Sequence, residues 1–329
     1  MTLRIGILGA ARVATYALID AARAVDGVMV QAVAARDPAR ARAYADQHGL
    51  ARAYPDYQAL IDADDVDAVY VALPPSLHAR WSIAALAAGK PVLCEKPFAL
   101  TIADAEGMVA AEAHHGGLLM EAQHSHYHPL AAHMRALVQS GALGTLTQVE
   151  AEFCVPIAPA PGEIRYDRGL GGGALWDLGV YPAYWAASAL AAPLSLAAAT
   201  QRWVTDDPAG ADIATDARLT TASGTAVRLR CAMDAPLSAQ IRFTGSRGWL
   251  AIRNPLAPHC GHECRWSVDG QEQAQQFAGP STYAAQLIAF RDAVHGGPPV
   301  PTRGAASLAT IRLLSAIDHQ ARTGAPHAD

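Results

Sequence analysis

Arg4-Ile5-Gly6-Ile7-Leu8-Gly9-Ala10-Ala11-Arg12-Val13-Ala14 decides how this chain folds. Residues 4–8 are apolar at Ile5, Ile7 and Leu8 and read as a first strand. The six residues that follow have the layout Gly-x-Gly-x-x-Gly/Ala, the loop on which a dinucleotide pyrophosphate rests between a strand and a helix. Gly9 permits the tight turn, and Ala14 permits close packing of a helix over residues 13–23. The start of that helix offers free N–H groups to phosphate. Ala11 replaces the middle glycine, so one methyl must be accommodated where backbone approaches the pyrophosphate. Gly9, Ala10, Ala11, Arg12 and Val13 are the expected phosphate-side contacts.

Working outward, residues 28–35 read as a second strand ending in Arg36-Asp37. A dinucleotide fold reads the adenosine ribose here. An acid first in line selects NAD, whereas a guanidinium matches a 2′-phosphate. Arg36 comes first, which favours NADP; NAD binding through Asp37 is the alternative, as is Asp37 capping the helix that Pro38 opens. That helix, over residues 38–48, stops at Gly49. A short third strand over 51–54 and a helix over 57–63 precede a clear strand at 68–72. Leu73, Pro74, Pro75 and Ser76 then form a loop at the same carboxyl edge as Gly9. His78 opens the next helix, either as a cofactor-side polar group or as a capping residue. Residues 91–93 form a further strand, and Cys94-Glu95-Lys96-Pro97 follows at its carboxyl end, where open parallel sheets bind ligands. Thr101 and Asp104 read as a capping box opening a helix to His115, and residues 118–122 as a sixth strand. Six strands alternating with helices define a doubly wound parallel sheet, a Rossmann domain over residues 1–123.

From Thr147 the pattern changes to alternation. Runs at 149–155, 213–219, 225–231, 240–243 and 249–252 predict a large, mostly antiparallel sheet, with an edge strand over 265–268. Helices are expected over 129–140, 284–295 and 305–320, giving an α+β domain over residues 124–329. A sheet face left bare of helices points to a homodimer through that face. The second chemical stretch is Gly171-Gly172-Gly173-Ala174-Leu175-Trp176-Asp177-Leu178-Gly179-Val180-Tyr181. Its glycines let backbone pass close to something bulky. Asp177 and Tyr181, four apart, share a face if helical. A carboxylate, a phenol and the Lys96 ammonium make a proton-transfer set. Arg165, just upstream, reaches the substrate or makes a loop salt bridge.

Composition narrows the function classes. The 329 residues carry a net charge of −5, which argues against nucleic acid or an anionic membrane as main partner. No stretch approaches the roughly 18 apolar residues of a spanning helix. Met1 to Gly6 leads into a strand rather than a signal peptide, and five scattered cysteines read as free thiols of a reducing cytoplasm. His124, His126 and His128 at period two, and His259, Cys260, His262 and Cys264, are candidate metal clusters without the spacing of a closed site; no metal is expected.

Residues 6–12, 72–78, 88–97 and 171–181 together resemble the glucose–fructose oxidoreductase / inositol dehydrogenase (Gfo/Idh/MocA) family over nearly the whole chain. Tyr181, where many relatives carry His, and the loop Asn254 to Pro258 are similar to the dihydrodiol dehydrogenase / NADP-linked xylose dehydrogenase branch. The resemblance implies a nicotinamide-dependent oxidoreductase acting on a secondary alcohol or carbonyl of a sugar, polyol or cyclic diol. It maps the family's catalytic lysine onto Lys96, its aspartate onto Asp177 and its acid/base residue onto Tyr181. Leu73, Pro74, His78 and Glu95 join the phosphate loop, Arg36 and Lys96 on the cofactor side. His126 stands where relatives usually have Arg, which alters the substrate group expected there, with His126 and Arg165 as substrate contacts. The rivals are a regulator that binds dinucleotide without catalysis, and a relative that keeps its cofactor for net non-redox chemistry.

Overall fold

A computed structural model describes residues 2–205, 207 and 209–325. By contacts the chain divides into two units, one of residues 1–124 and 280–308, the other of 125–279 and 309–329. The sequence places one boundary near 123, but the chain returns to the first unit at 280. Two contacts show why. Arg291 donates to the Asp26 carbonyl at 2.6 Å, and Thr302 brackets Glu121, its carbonyl accepting from Glu121 N–H at 2.7 Å and its hydroxyl donating to the Glu121 carbonyl at 2.9 Å.

In the first unit β1 (Leu3–Leu8), β2 (Val28–Ala34), β3 (Arg52–Tyr54), β4 (Ala68–Val71), β5 (Val92–Cys94) and β6 (Leu119–Glu121) form one parallel sheet ordered β3-β2-β1-β4-β5-β6. Leu3, Ile5, Ile7 and Leu8 of β1 are all buried, as a central parallel strand requires, each contributing about 1.5–3 kcal/mol. The order reverses between β1 and β4, so their carboxyl ends open the crevice where dinucleotides bind. Helix ends follow the local signals. Asp37 caps Pro38–His48 through Ala39 N–H, Thr101 caps Ile102–His115 through Asp104 N–H, and Gly49 and Gly116 close those helices in the left-handed region.

The second unit is built on an eight-stranded sheet. Its strands are β7 (Leu146–Cys154), β8 (Ser195–Trp203), β9 (Asp212–Thr220), β10 (Ala226–Ala232), β11 (Ser238–Gly245), β12 (Gly248–Arg253), β13 (Glu263–Val268) and β14 (Gln271–Ala274). The order is β14-β13-β12-β11-β7-β10-β9-β8, antiparallel except for β7 beside β10. β8 and β14 are absent from the sequence reading, and β14 rather than β13 is the edge. Val149, Ala151, Phe153, Val227, Leu229, Cys231, Ile241 and Phe243 point to the core. The helix Val180–Leu190 packs on that side, and all but three of its residues are buried. The opposite face carries ion pairs, Arg228 with Asp216 at 2.5 Å and Arg230 with Glu152 at 2.7 Å, and Arg242 lies over the Trp249 ring. That face is therefore polar rather than apolar.

Candidate active site

In the first unit the phosphate loop is held from behind. Gly9 has φ +106°, and a Cβ there would lie 2.5 Å from the Ala72 carbonyl oxygen at the end of β4, so glycine is required twice over. Ala11 has φ −102° and ψ 146°, ordinary extended backbone, so nothing in its conformation demands glycine. Arg40 donates to the Ala10 carbonyl at 2.8 Å and Tyr44 to the Ala11 carbonyl at 3.1 Å. With these carbonyls tied to the helix Pro38–His48, and no side chain capping the helix that begins at Arg12, the N–H groups at its start suit an anion. These residues fit a dinucleotide pyrophosphate.

At the end of β2, Arg36 is exposed, and Asp37 spends one carboxylate oxygen capping its helix at 2.9 Å. Burial raises the pKa of the Tyr57 phenol, while the Arg36 backbone and the charges of Arg36 and Arg40 draw it back. Arg40, from the first turn of the helix Pro38–His48, shares this neighbourhood and has no counterpart in the sequence reading.

Lys96 follows β5 in a loop gripped by buried polar groups. Glu95 accepts from the Tyr70 hydroxyl, and the Lys96 backbone N–H lies 3.3 Å from its second oxygen. Burial and the Glu95 carboxylate push the Tyr70 phenol well above its ordinary pKa, which keeps it a proton donor to Glu95. Glu121 accepts from Phe98 N–H at 3.2 Å and from Gln123 at 3.1 Å. Burial raises the Glu121 pKa against the pull of Ser307, Gln123 and Phe98. The Lys96–Pro97 peptide is cis.

His78 has a different task from the two the sequence offers. It is fully buried, with Nδ1 2.8 Å from the Pro97 carbonyl and Nε2 2.9 Å from the Leu73 carbonyl. It therefore laces the Leu73-Pro74 loop to the Lys96-Pro97 loop rather than facing a ligand or capping the helix. A neutral ring donates to one carbonyl and a charged ring to both. Burial draws its pKa down, the two carbonyls draw it up, and the Lys96 charge lowers it again, for a net downward shift.

In the second unit, the bulky neighbour of the glycine run is the chain itself. A Cβ on Gly172 would lie 2.5 Å from the Ile164 carbonyl oxygen, and one on Gly173 (φ +123°) 2.3 Å from Asp212 Oδ1. Residues 175–179 form a π-turn leading into Val180–Leu190, so Asp177 lies on a widened turn rather than on an α-helical one. Arg165 Nε donates to Asp177 Oδ2 at 2.7 Å and Nη1 to Glu163 at 3.1 Å, which makes it the salt-bridge partner of the candidate aspartate. Burial lowers the Arg165 pKa, but Asp177 and Glu163 outweigh it. Tyr181 is buried, edge-on to Phe153 at 5.4 Å and beside Trp185 at 6.2 Å.

The three spaced histidines do not share a strand face. His124–Tyr127 is a 3₁₀ turn from which His124 reaches the Thr282 hydroxyl at 2.9 Å, and His128 accepts from Leu130 N–H at 3.2 Å. His126 Nδ1 faces the Tyr184 hydroxyl at 2.8 Å and Arg135 at 3.3 Å. Burial, then the Arg135 charge, holds its pKa down to about 3, so His126 is neutral at working pH and Nδ1 accepts. Arg135, from the helix Pro129–Gln139, places a guanidinium beside His126. His262 is spent on the Pro258 carbonyl and Phe277 N–H. Among the described residues no group of three or more His, Cys, Asp or Glu side chains is placed to hold a metal ion. All five cysteines are free.

A parallel dinucleotide-binding sheet with a lysine loop at its carboxyl edge, joined to a large antiparallel sheet, defines a class of nicotinamide-dependent oxidoreductases. Residues 3–123 match the model of the oxidoreductase family with NAD-binding Rossmann fold (GFO/IDH/MocA), and residues 131–251 match the GFO/IDH/MocA C-terminal domain. This chain belongs to the GFO/IDH/MocA family of NAD(P)-dependent oxidoreductases acting on sugar-like substrates. It is 33% identical to the D-xylose 1-dehydrogenase (NADP(+)) 2 of Haloferax volcanii, over 97% of this chain and 98% of that one. A crystal structure of the aldose–aldose oxidoreductase of Caulobacter crescentus with glycerol matches with TM-score 0.90 and 28% identity over 100% of both chains. A 3-ketoreductase from Actinomadura kijaniata, solved with NADP and TDP-benzene, matches with TM-score 0.87 and 31% identity over 97% and 98% of the two chains. It has also been solved with a lysine changed to alanine and with a tyrosine changed to phenylalanine. No helix among the described residues is long and apolar enough to cross a membrane.

Proposed function

We propose that this protein is an NADP-dependent dehydrogenase or reductase acting on a secondary alcohol or carbonyl of a sugar, polyol or cyclic diol. The observation that carries it is the Gly9–Ala14 loop, its carbonyls tied to Arg40 and Tyr44, with Arg36 exposed at the end of β2. When bound, NADP supplies hydride exchange at its nicotinamide ring. Gly9, Ala10, Ala11, Arg12 and Val13 hold the pyrophosphate, Arg36 takes the 2′-phosphate, and Leu73, Pro74, Glu95 and Lys96 border the rest. His78 serves by bracing the two loops.

Oxidising an alcohol releases a proton from the same oxygen that becomes a carbonyl. Tyr181 takes and returns that proton, and the Lys96 ammonium favours the phenolate and the developing negative charge. The lysine and tyrosine altered in the Actinomadura enzyme are the residue types at 96 and 181 here. Asp177, held by Arg165 at 2.7 Å, orients substrate hydroxyls. His126 and Tyr184 present neutral hydrogen-bonding groups to a substrate hydroxyl.

The working form is a homodimer in a reducing compartment such as the cytoplasm. It is joined through the outer face of the eight-stranded sheet, which carries ion pairs within the chain and the Arg242 guanidinium over the Trp249 ring. The test is a panel of aldoses, polyols, cyclic diols and nucleotide-linked keto sugars assayed with NADP and with NAD. Turnover with NADP on a sugar-like member supports the reading, and turnover confined to NAD overturns it. A second reading follows from the likeness to an aldose–aldose oxidoreductase: the cofactor stays bound while one sugar reduces another. NADP retained through purification, with no net change in free NADPH during turnover, would favour that one.

A further inference from the structure

We propose that Asp212 is a positioning residue for Asp177 and Tyr181: from the first position of β9 its carboxylate caps, across the chain, the start of the helical segment that carries both. This deepens the function proposed above and rests on it for the kinetic readout.

Asp212 is fully buried. Its Oδ2 accepts from Leu175 N–H at 2.9 Å and from the Thr215 hydroxyl at 2.7 Å, while its Oδ1 has no hydrogen-bond partner among the described residues. That unpartnered oxygen lies against Gly173, where a Cβ would come within 2.3 Å. Gly173 in turn receives Asp177 N–H on its carbonyl at 2.9 Å. The carboxylate thus touches the chain two and four residues before Asp177. Ala174, which stands at the helix start, has no side chain to cap with, so the cap comes from another strand. A buried carboxylate with an unpaired oxygen is costly, and β9 could pair with β8 without it. Such a cost is expected where a group sets functional geometry.

The same burial places its ionisation near working pH. Desolvation lifts the carboxyl to about 6, against the pull of Thr215 and Leu175 N–H. Asp318 lifts it further and Arg322 lowers it, both from the helix Ala305–Thr323, and Cys231 faces it from β10. On protonation the charge-assisted bond from Leu175 N–H weakens, and the turn bearing Asp177 loosens.

The experiment compares the intact protein with Asp212→Asn and Thr215→Val. It follows NADP-linked turnover over about pH 5 to 8, NADP binding by fluorescence, and the Asp212 carboxyl and Leu175 amide by NMR. The unaltered protein should lose turnover through an acid limb near pH 6. Asp212→Asn should abolish that limb and lower turnover at neutral pH by about tenfold or more, with NADP affinity kept. Thr215→Val removes one bond to the carboxylate and should move the limb upward by about half to one pH unit. This milder variant decides the matter if Asp212→Asn does not fold. An unchanged profile in both variants overturns the proposal. Should no substrate support NADP-linked turnover, the function above fails, and NMR still tests Asp212. Leu175 exchange rising as Asp212 protonates supports the cap, and exchange indifferent to that titration overturns it.

Discussion

The Lys96 loop and the Gly171–Tyr181 segment carry the two halves of the proposed proton relay, and they are built in opposite ways. The lysine loop is laced by polar groups: His78 on Pro97 and Leu73, Glu121 on Phe98, Tyr70 on Glu95. The tyrosine segment is fixed largely by shape, with Gly172 seated on the backbone at 164–165 and Gly173 against Asp212, and its polar anchors are the Asp212 carboxylate and the Arg165–Asp177 ion pair. A hydrogen-bonded loop can lose one member and keep its course. A segment wedged against backbone has nothing that can yield.

The largest effect is therefore expected at Gly172. Gly172→Ala puts a methyl 2.5 Å from the Ile164 carbonyl oxygen and 2.7 Å from the Arg165 carbonyl carbon. Chemical denaturation should show a loss on the order of 4 kcal/mol or more, or no folded protein. A loss below about 1 kcal/mol would mean that the backbone yields and the contrast is wrong.

His78→Ala tests the other side. It removes the ring that bridges the two carbonyls, leaves the one it donates to without its donor and opens a cavity, costing about 2–4 kcal/mol while NADP binding persists. An outcome that stabilises or leaves stability unchanged would remove His78 from the lacing.

Asp212 gives a pH signature to the shape-built region. Its folded pKa of about 6 lies above the unfolded carboxylate value, so between the two the folded state holds a proton that the unfolded state has released. Its contribution to stability is greatest below about pH 4 and falls as pH rises through 6, by on the order of 2–3 kcal/mol. Asp212→Asn should flatten that slope between about pH 4 and 7. A slope unchanged by the substitution would contradict the assignment.

The smallest effect belongs to cofactor choice. Arg36→Ala should raise KM for NADP by about ten- to hundredfold and leave that for NAD nearly unmoved. Equal changes for both would sink the role of Arg36.

The same contrast explains what the sequence made legible. The parallel sheet was readable because its signals are local: β1 is apolar, Asp37 and Thr101 cap, Gly49 and Gly116 stop helices. Lys96 was readable from its place after β5. β8 escaped because Ser195–Trp203 contains an alanine run and no β-branched residue but Thr200, and β14 because Gln271–Ala274 is wholly exposed. The return of 280–308 to the first unit has no local signal, since Thr302 and Arg291 act on residues far away in sequence. The glycine run was recognised, but its purpose was not, because Ile164 and Asp212 reach it only through tertiary folding. The histidines at period two suggested a strand face, and the 3₁₀ turn sends them apart.

The most direct test of the proposed relay is turnover of Tyr181→Phe on a verified substrate, measured beside NADP affinity. The account predicts affinity retained and turnover reduced by roughly a hundred- to ten-thousandfold, with Lys96→Ala adding less than its full effect on the same background. Near-normal turnover by Tyr181→Phe would contradict it.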